Sequence, residues 1–218
     1  MNDHASHQND ATSVPGRMSR PAPRLAPLPP EHSPELAGIF KITSDRLGFI
    51  PNSFLTMQRK PKMVKAFGDL VESIFGPDGV VDPKTKQLVA FMVSHASGCQ
   101  YCVAHTGSTT ARMGIPAEKL EAIWDYQSSH LFNDAERAAL DVAVASGCIP
   151  NEVTDDMFAN LRAHWRDDQI VEIIGVIGMF GFLNRWNDTF ATPLEAEPIA
   201  FGRERLGAAG WTPDKHIR

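Results

Sequence analysis

The sequence predicts an all-α fold, and three observations carry that prediction. Apolar residues recur at helical spacing through most of the chain. No stretch alternates with the period of two that a half-buried strand requires. The segments between the periodic runs carry helix caps and stops rather than hairpin turns. The expected architecture is a multi-helix bundle, and most of its elements can be justified from their own residues.

Ser33-Pro34-Glu35 opens the first helix, with Leu36, Ile39 and Phe40 at helical spacing, and Gly48 and Pro51 end it. A second helix spans Lys62–Phe75, with Met63, Phe67, Leu70, Val71 and Ile74 on one face, and stops at Gly76-Pro77-Asp78-Gly79. Asp82 is a good N-cap for a third, with Pro83 at the first helical position, where its missing N–H costs nothing. Its apolar run after Gln87 meets no turn residue until Gly98 and therefore reads as buried. A fourth helix begins at about Cys99 and stops at Gly114. Pro116 starts a short helix carrying Leu120, Ile123 and Trp124. Asn133-Asp134-Ala135-Glu136 is a capping-box start for the next, which runs to Gly147. Thr154 caps Asp155–Trp165, and Asp167 opens a last long helix, apolar on nearly every side and so destined for the core or a subunit interface.

Residues 1–32, rich in Pro, Ser, Asn and His, read as a disordered tail, with Met18 as an alternative translation start. Pro27-Leu28-Pro29-Pro30 reads as an extended lead-in packed on the domain edge. Residues 33–190 form the helical domain, and 191–218 an extended C-terminal arm.

The net charge of −5 and the absence of a basic stripe argue against nucleic acid. No apolar run reaches membrane-spanning length, since Ile170–Leu183 is short and interrupted by Glu172 and glycines. The N-terminus lacks a secretory pattern, so a cytoplasmic protein is expected. Three cysteines in 218 residues do not make a disulfide scaffold; a local dithiol in a reducing compartment fits better.

The chemistry concentrates in Ser94–His105, which holds two of the three cysteines as C-x-x-C and a histidine three residues on. Residues three apart share a helix face, so Cys99, Cys102 and His105 form one stripe. Gly98 puts Cys99 at a helix N-terminus, where the dipole favours a thiolate. The spacing suits a dithiol that cycles through a disulfide. A zinc site drawn from His95, Cys99, Cys102 and His105 is the competing reading. Four ligands within eleven residues enclose one ion poorly, so no metal is expected.

The S-x-x-x-G-C-x-Y-C-x-A-H pattern from Ser94 to His105, the Leu-rich helix before it and Leu183-Asn184-Arg185-Trp186-Asn187-Asp188 resemble the alkylhydroperoxidase D-like, or peroxidase-related, branch of the carboxymuconolactone decarboxylase superfamily. The resemblance covers roughly residues 36–190. It implies that Cys102 attacks a hydroperoxide and becomes a sulfenic acid, and that Cys99 supplies a proton and then closes the disulfide. It also implies His105 as the relay histidine, an external dithiol reductant, no cofactor, and a trimeric or hexameric homo-oligomer. The family commonly carries a glutamate where this chain has Gln87, and a glutamine cannot take a proton at neutral pH. Gln87 is then an orienting hydrogen-bond partner, and His95 or Glu172 is the candidate supporting base.

Glu172 comes in through a further pattern. Glu172, Asn184 and Asn187 repeat the spacings of Gln87, Cys99 and Cys102, which suggests a degenerate two-fold helical repeat that brings Glu172 to the dithiol. Tyr101 is expected to pack away from the stripe, Cys148 to be buried, and Asn184, Arg185, Asn187 and Asp188 to fasten helix ends. The leading expectation is a thiol-dependent peroxidase-like enzyme. The alternatives are a carboxymuconolactone decarboxylase-type enzyme and a redox switch without turnover.

Overall fold

The computed structural model describes residues 23–217, and among these there is no strand. The order is α1 (Ala37–Leu47), α2 (Asn52–Met57), α3 (Pro61–Phe75), α4 (Pro83–Ala96), α5 (Gln100–Arg112), α6 (Ala117–Glu121), α7 (Asp134–Gly147), α8 (Asp155–His164), α9 (Asp167–Phe190) and α10 (Ala196–Phe201), with short 3₁₀ turns between. Helix α4 is the centre: every residue from Thr85 to Ser94 is buried, and the helix packs against α5, α7 and α9. Its Asp82 cap is made, the carboxylate accepting from the Thr85 N–H at 3.3 Å. The Asn133–Glu136 capping box and the Thr154 cap are made as well.

The break between α4 and α5 falls at Gly98, whose φ of +72° lies in the left-handed region that a side chain would resist. Helix α2 has no counterpart in the sequence reading. It is a single short turn after Pro51, below the length at which periodicity can be recognised. The first expected helix begins instead as two 3₁₀ turns, Pro30–His32 and Pro34–Leu36, because each proline sets a tight first turn.

The helix pattern does not confirm the two-fold repeat. Helix α9 runs unbroken from Glu172 through Asn187, whereas the corresponding span from Gln87 to Cys102 is cut at Gly98 into two helices.

Both flanking segments are more structured than their composition suggests. Residues 1–22, with the alternative start at Met18, lie outside the described residues. The lead-in from residue 23 lies along the domain edge: the Leu28 N–H donates to the Leu55 carbonyl at 3.0 Å, and buried Gln58 donates to the Leu28 carbonyl at 3.1 Å. The C-terminal segment is not an extended arm. It folds into α10, a π turn over Gly202–Leu206 and a last 3₁₀ turn over Asp214–His216, and packs back along α5. Trp211 secures it, its indole N–H donating to the Gln100 carbonyl at 3.0 Å.

The approach of α10 to α5 depends on Gly107. A Cβ there would lie 2.7 Å from a ring carbon of Phe201 and 3.2 Å from one of Phe91. Gly107→Ala is therefore expected to lower unfolding stability by about 1–3 kcal/mol through overpacking. Denaturant melts of the two proteins would check this.

No helix among the described residues is long and apolar enough to cross a membrane.

Candidate active site

Helix α5 carries the site. Cys99 is its N-cap, with extended backbone, and its sulfur accepts from the Cys102 N–H at 3.4 Å. Both cysteines are reduced and buried. One turn on, Cys102 and His105 face a cavity of about 510 Å³ between α1, α3, α5 and α9. The walls are mainly apolar, including Ile39, Phe67, Val71, Met179, Phe180 and Leu183. Cys99 is not part of the lining; it lies behind Cys102, towards the C-terminal segment.

The facing helix delivers an amide to the sulfur. Asn187 Nδ2 donates to Cys102 Sγ at 3.4 Å, while its Oδ1 is buried without a partner. Burial pushes the Cys102 thiol well above its ordinary value, and neighbouring Cys99 pushes the same way; the Asn187 hydrogen bond opposes them. The resting site thus holds a protonated thiol that needs a proton acceptor before it can act as a nucleophile.

That acceptor chain includes a residue the sequence reading missed. Glu195, just before α10, sets Oε2 2.5 Å from His105 Nε2. Its Oε1 accepts from the Tyr101 hydroxyl at 3.0 Å and from the Asn52 N–H at 2.5 Å. Burial alone would raise the Glu195 pKa. The neighbouring His105 and the hydrogen bonds to His105 and from Asn52 outweigh it, so the carboxyl sits below its ordinary value of 4.5. Tyr101 does not pack away from the stripe: it lines the cavity, and its ring stacks on His105 at 4.2 Å between centroids. Its hydroxyl is held well above its ordinary pKa by burial and by the Glu195 charge, and so stays a donor.

Gln87 also lines the cavity, and its Nε2 donates to the Thr106 carbonyl at 3.1 Å, which buttresses α5 against α4. The other two candidate bases are engaged elsewhere. Glu172 pairs with buried Lys86 and accepts from the Val80 N–H at 2.7 Å; it balances a charge that also bonds the Ile74 carbonyl. His95 sits against Trp124, 4.6 Å between ring centroids. Neither lines the cavity. The repeat idea failed on this point: the facing helix supplies Asn187, not Glu172.

Asp188 does fasten a helix end, within the chain. Its Oδ2 pairs with Lys215 at 2.9 Å, and its Oδ1 lies 3.3 Å from His216 Nε2. Cys148 is half-buried rather than enclosed, its thiol directed at the Val144 carbonyl.

A helical bundle that presents one thiol of a buried C-x-x-C pair at the floor of an apolar cavity defines a class of protein, and comparison with known proteins identifies the class. The sequence profile of the carboxymuconolactone decarboxylase family matches residues 61–145. The debrominase Bmp8 is 33% identical, with a TM-score of 0.78 over 83% of this chain and 96% of that one; it has also been solved as a cysteine-to-alanine variant in complex with 2,3,4-tribromopyrrole. An uncharacterised peroxidase-related protein from Ralstonia eutropha JMP134, described as an alkylhydroperoxidase AhpD core, is 25% identical, with a TM-score of 0.67 over 82% of this chain and 97% of that one. The uncharacterised protein YnjA of Escherichia coli is 30% identical over 115 residues, 53% of this chain; the match spans 63% of YnjA. This chain belongs to the carboxymuconolactone decarboxylase superfamily, in its alkylhydroperoxidase D-like branch.

Proposed function

We propose that the protein is a dithiol-dependent reductase of bulky apolar hydroperoxides, with Cys102 as the attacking sulfur. The observation that carries this reading is the position of Cys102 at the floor of an apolar cavity, one helical turn from a His105–Glu195 pair. His105 takes the thiol proton, and Glu195 stabilises the imidazolium that results. The thiolate attacks the terminal oxygen of R–OOH, the O–O bond breaks, and the alkoxide leaves with the proton from His105 as R–OH. Cys102 is then a sulfenic acid. Asn187, with Nδ2 on the sulfur and Oδ1 free of partners, is suited to accept from the substrate's O–H. Cys99 then attacks the Cys102 sulfur, displacing hydroxide that leaves as water with the Cys99 proton, and a disulfide remains for an external dithiol to reduce.

The test is a free-thiol count on reduced protein mixed with one equivalent of cumene hydroperoxide or of hydrogen peroxide. Rapid loss of two thiols, faster with the bulky peroxide, is the expected result. Loss no faster than that of a free small-molecule thiol would sink the reading.

A second reading has a specific observation behind it, the likeness to the debrominase Bmp8. The same dithiol could supply two electrons and two protons to a bromopyrrole, giving the C–H product, bromide and the disulfide. Bromide release from 2,3,4-tribromopyrrole, with hydroperoxides inert, would favour it over the first.

Assembly of several copies is part of the proposal. Apolar Ile42 and Val171 are 69% and 72% exposed, which fits burial between subunits in a trimer or hexamer. Light scattering that gives a monomer mass would exclude it.

A further inference from the structure

On the far side of the dithiol from the cavity, three donor atoms converge. Cys99, Asp188 and His216 offer one ligand atom each, all within 4.8 Å of one another, and Asp188 Oδ1 lies 3.3 Å from His216 Nε2. They come from three separate elements: the N-cap of α5, the C-terminal turn of α9 and the last 3₁₀ turn. The peroxide chemistry proposed above gives no task to Asp188 or His216.

The local hydrogen bonds orient these donors. His216 is fully buried, and its Nδ1 lies 2.7 Å from the Thr192 carbonyl. A carbonyl can only accept, so Nδ1 carries the hydrogen. In the neutral ring, Nε2 then presents a lone pair to Asp188 Oδ1 at 3.3 Å. Two lone pairs facing each other are reconciled either by a proton, which makes an ordinary His–Asp ion pair, or by a metal cation between them. A backbone carbonyl on the distal nitrogen is also the usual way a ligating histidine is fixed. Lys215 holds Asp188 Oδ2 at 2.9 Å, which leaves Oδ1 turned towards His216. On a tetrahedral zinc ion with bonds of about 2.0–2.1 Å, two N/O ligands sit about 3.3 Å apart, so the observed separation is compatible with an edge of that tetrahedron as well as with a hydrogen bond.

We infer that Cys99, Asp188 and His216 form a site for a zinc-like divalent cation, open to solvent on the Asp188 side and available only while the dithiol is reduced. The sulfur favours a borderline-soft ion over magnesium or calcium. On binding, the Cys99 thiol loses its proton to solvent and the thiolate becomes a ligand. Disulfide formation with Cys102 removes that thiolate and releases the ion; conversely, a bound ion withholds Cys99 from Cys102. The gating half rests on the Cys99–Cys102 disulfide proposed above, whereas the binding half does not.

The test uses reduced full-length protein titrated anaerobically with Co²⁺, followed by Zn²⁺ in competition with a chromophoric chelator. The expected result is one ion per chain, with the visible bands of tetrahedral cobalt and a thiolate charge-transfer band. His216→Gln and Asp188→Asn, each checked for folding by circular dichroism, are expected to weaken binding by more than the roughly tenfold that loss of an outer partner costs. Cys102→Ser is expected to keep the ion. Binding unchanged in both ligand variants, binding lost in Cys102→Ser, or an octahedral spectrum without the thiolate band would each overturn the site. Oxidation by diamide, which takes up the two electrons and two protons of the dithiol, should expel the ion, and retention would overturn the gating. Expulsion by diamide with inertness to hydroperoxide would leave the metal site standing and remove the peroxide reading.

Discussion

Cys102→Ser is expected to reduce hydroperoxide-driven turnover by at least about 10³-fold, because removing the nucleophile of a concerted site abolishes most of its rate advantage. The serine is nearly isosteric and keeps the hydrogen bond from Asn187, so the fold should survive. Cys99→Ser should behave differently: one turnover's attack by Cys102 remains, and the sulfenic acid persists because nothing resolves it. Stopped-flow oxidation with a sulfenic-acid trap separates the two variants. Trapping in Cys102→Ser with none in Cys99→Ser would mean that Cys99, not Cys102, meets the peroxide.

Glu195→Gln is expected to slow oxidation about 10²-fold, the usual share of a positioned acid–base group. The amide can still accept from the Tyr101 hydroxyl and the Asn52 N–H, so the cost in stability should be about 1–2 kcal/mol. The readout that separates a relay from a brace is pH. Glu195 lies below its ordinary value of 4.5 in the folded protein, so the unfolded chain binds its proton first as acid is added. Its contribution to stability is complete above about pH 4.5 and is lost as pH falls through the lower folded value. The variant should lack that component of acid unfolding. It should also oxidise more slowly at neutral pH, where its fold is intact, which a purely structural role would leave unmoved.

The helix order and the centre of the site were legible in the sequence because they are encoded locally. Asp82, Gly98, Asn133 and Thr154 each act on a backbone group a few residues away, so their effect can be read without knowing the fold. The stripe of Cys102 and His105 needed only the period of a helix. Glu195 and Asn187 meet α5 from 90 and 85 residues away along the chain, and His216 arrives through the arm that Trp211 anchors to Gln100, 111 residues distant. No local pattern marks such partners. The one signal that could have helped was the mismatch itself: a site with Gln87 where a carboxylate is usual must find its acid elsewhere. The two bases that spacing offered, His95 and Glu172, lie outside the cavity. Glu172 was unavailable there because Lys86, buried beside it, requires a counter-charge.

Lys86 also explains why an amphipathic analysis fails for α4. Its apolar stripe runs all the way round, and the buried cation is accommodated through Glu172, the Ile74 carbonyl and the Phe75 ring 5.5 Å away. Periodicity can find a helix that is half buried. For one that is wholly enclosed it gives the element but no orientation.

The placement of Glu195 and His216 beyond α9 has a bearing on biosynthesis. The bundle around α4 draws on residues up to Phe190, all of which leave the ribosome before the segment that carries the relay carboxylate. During that interval the nascent chain has its cysteines in place and its core able to condense, but no partner for His105 and no imidazole behind Cys99. On the proposed mechanism, both thiols are therefore made before Glu195 and His216, and His105 acquires its carboxylate partner only once the arm has docked.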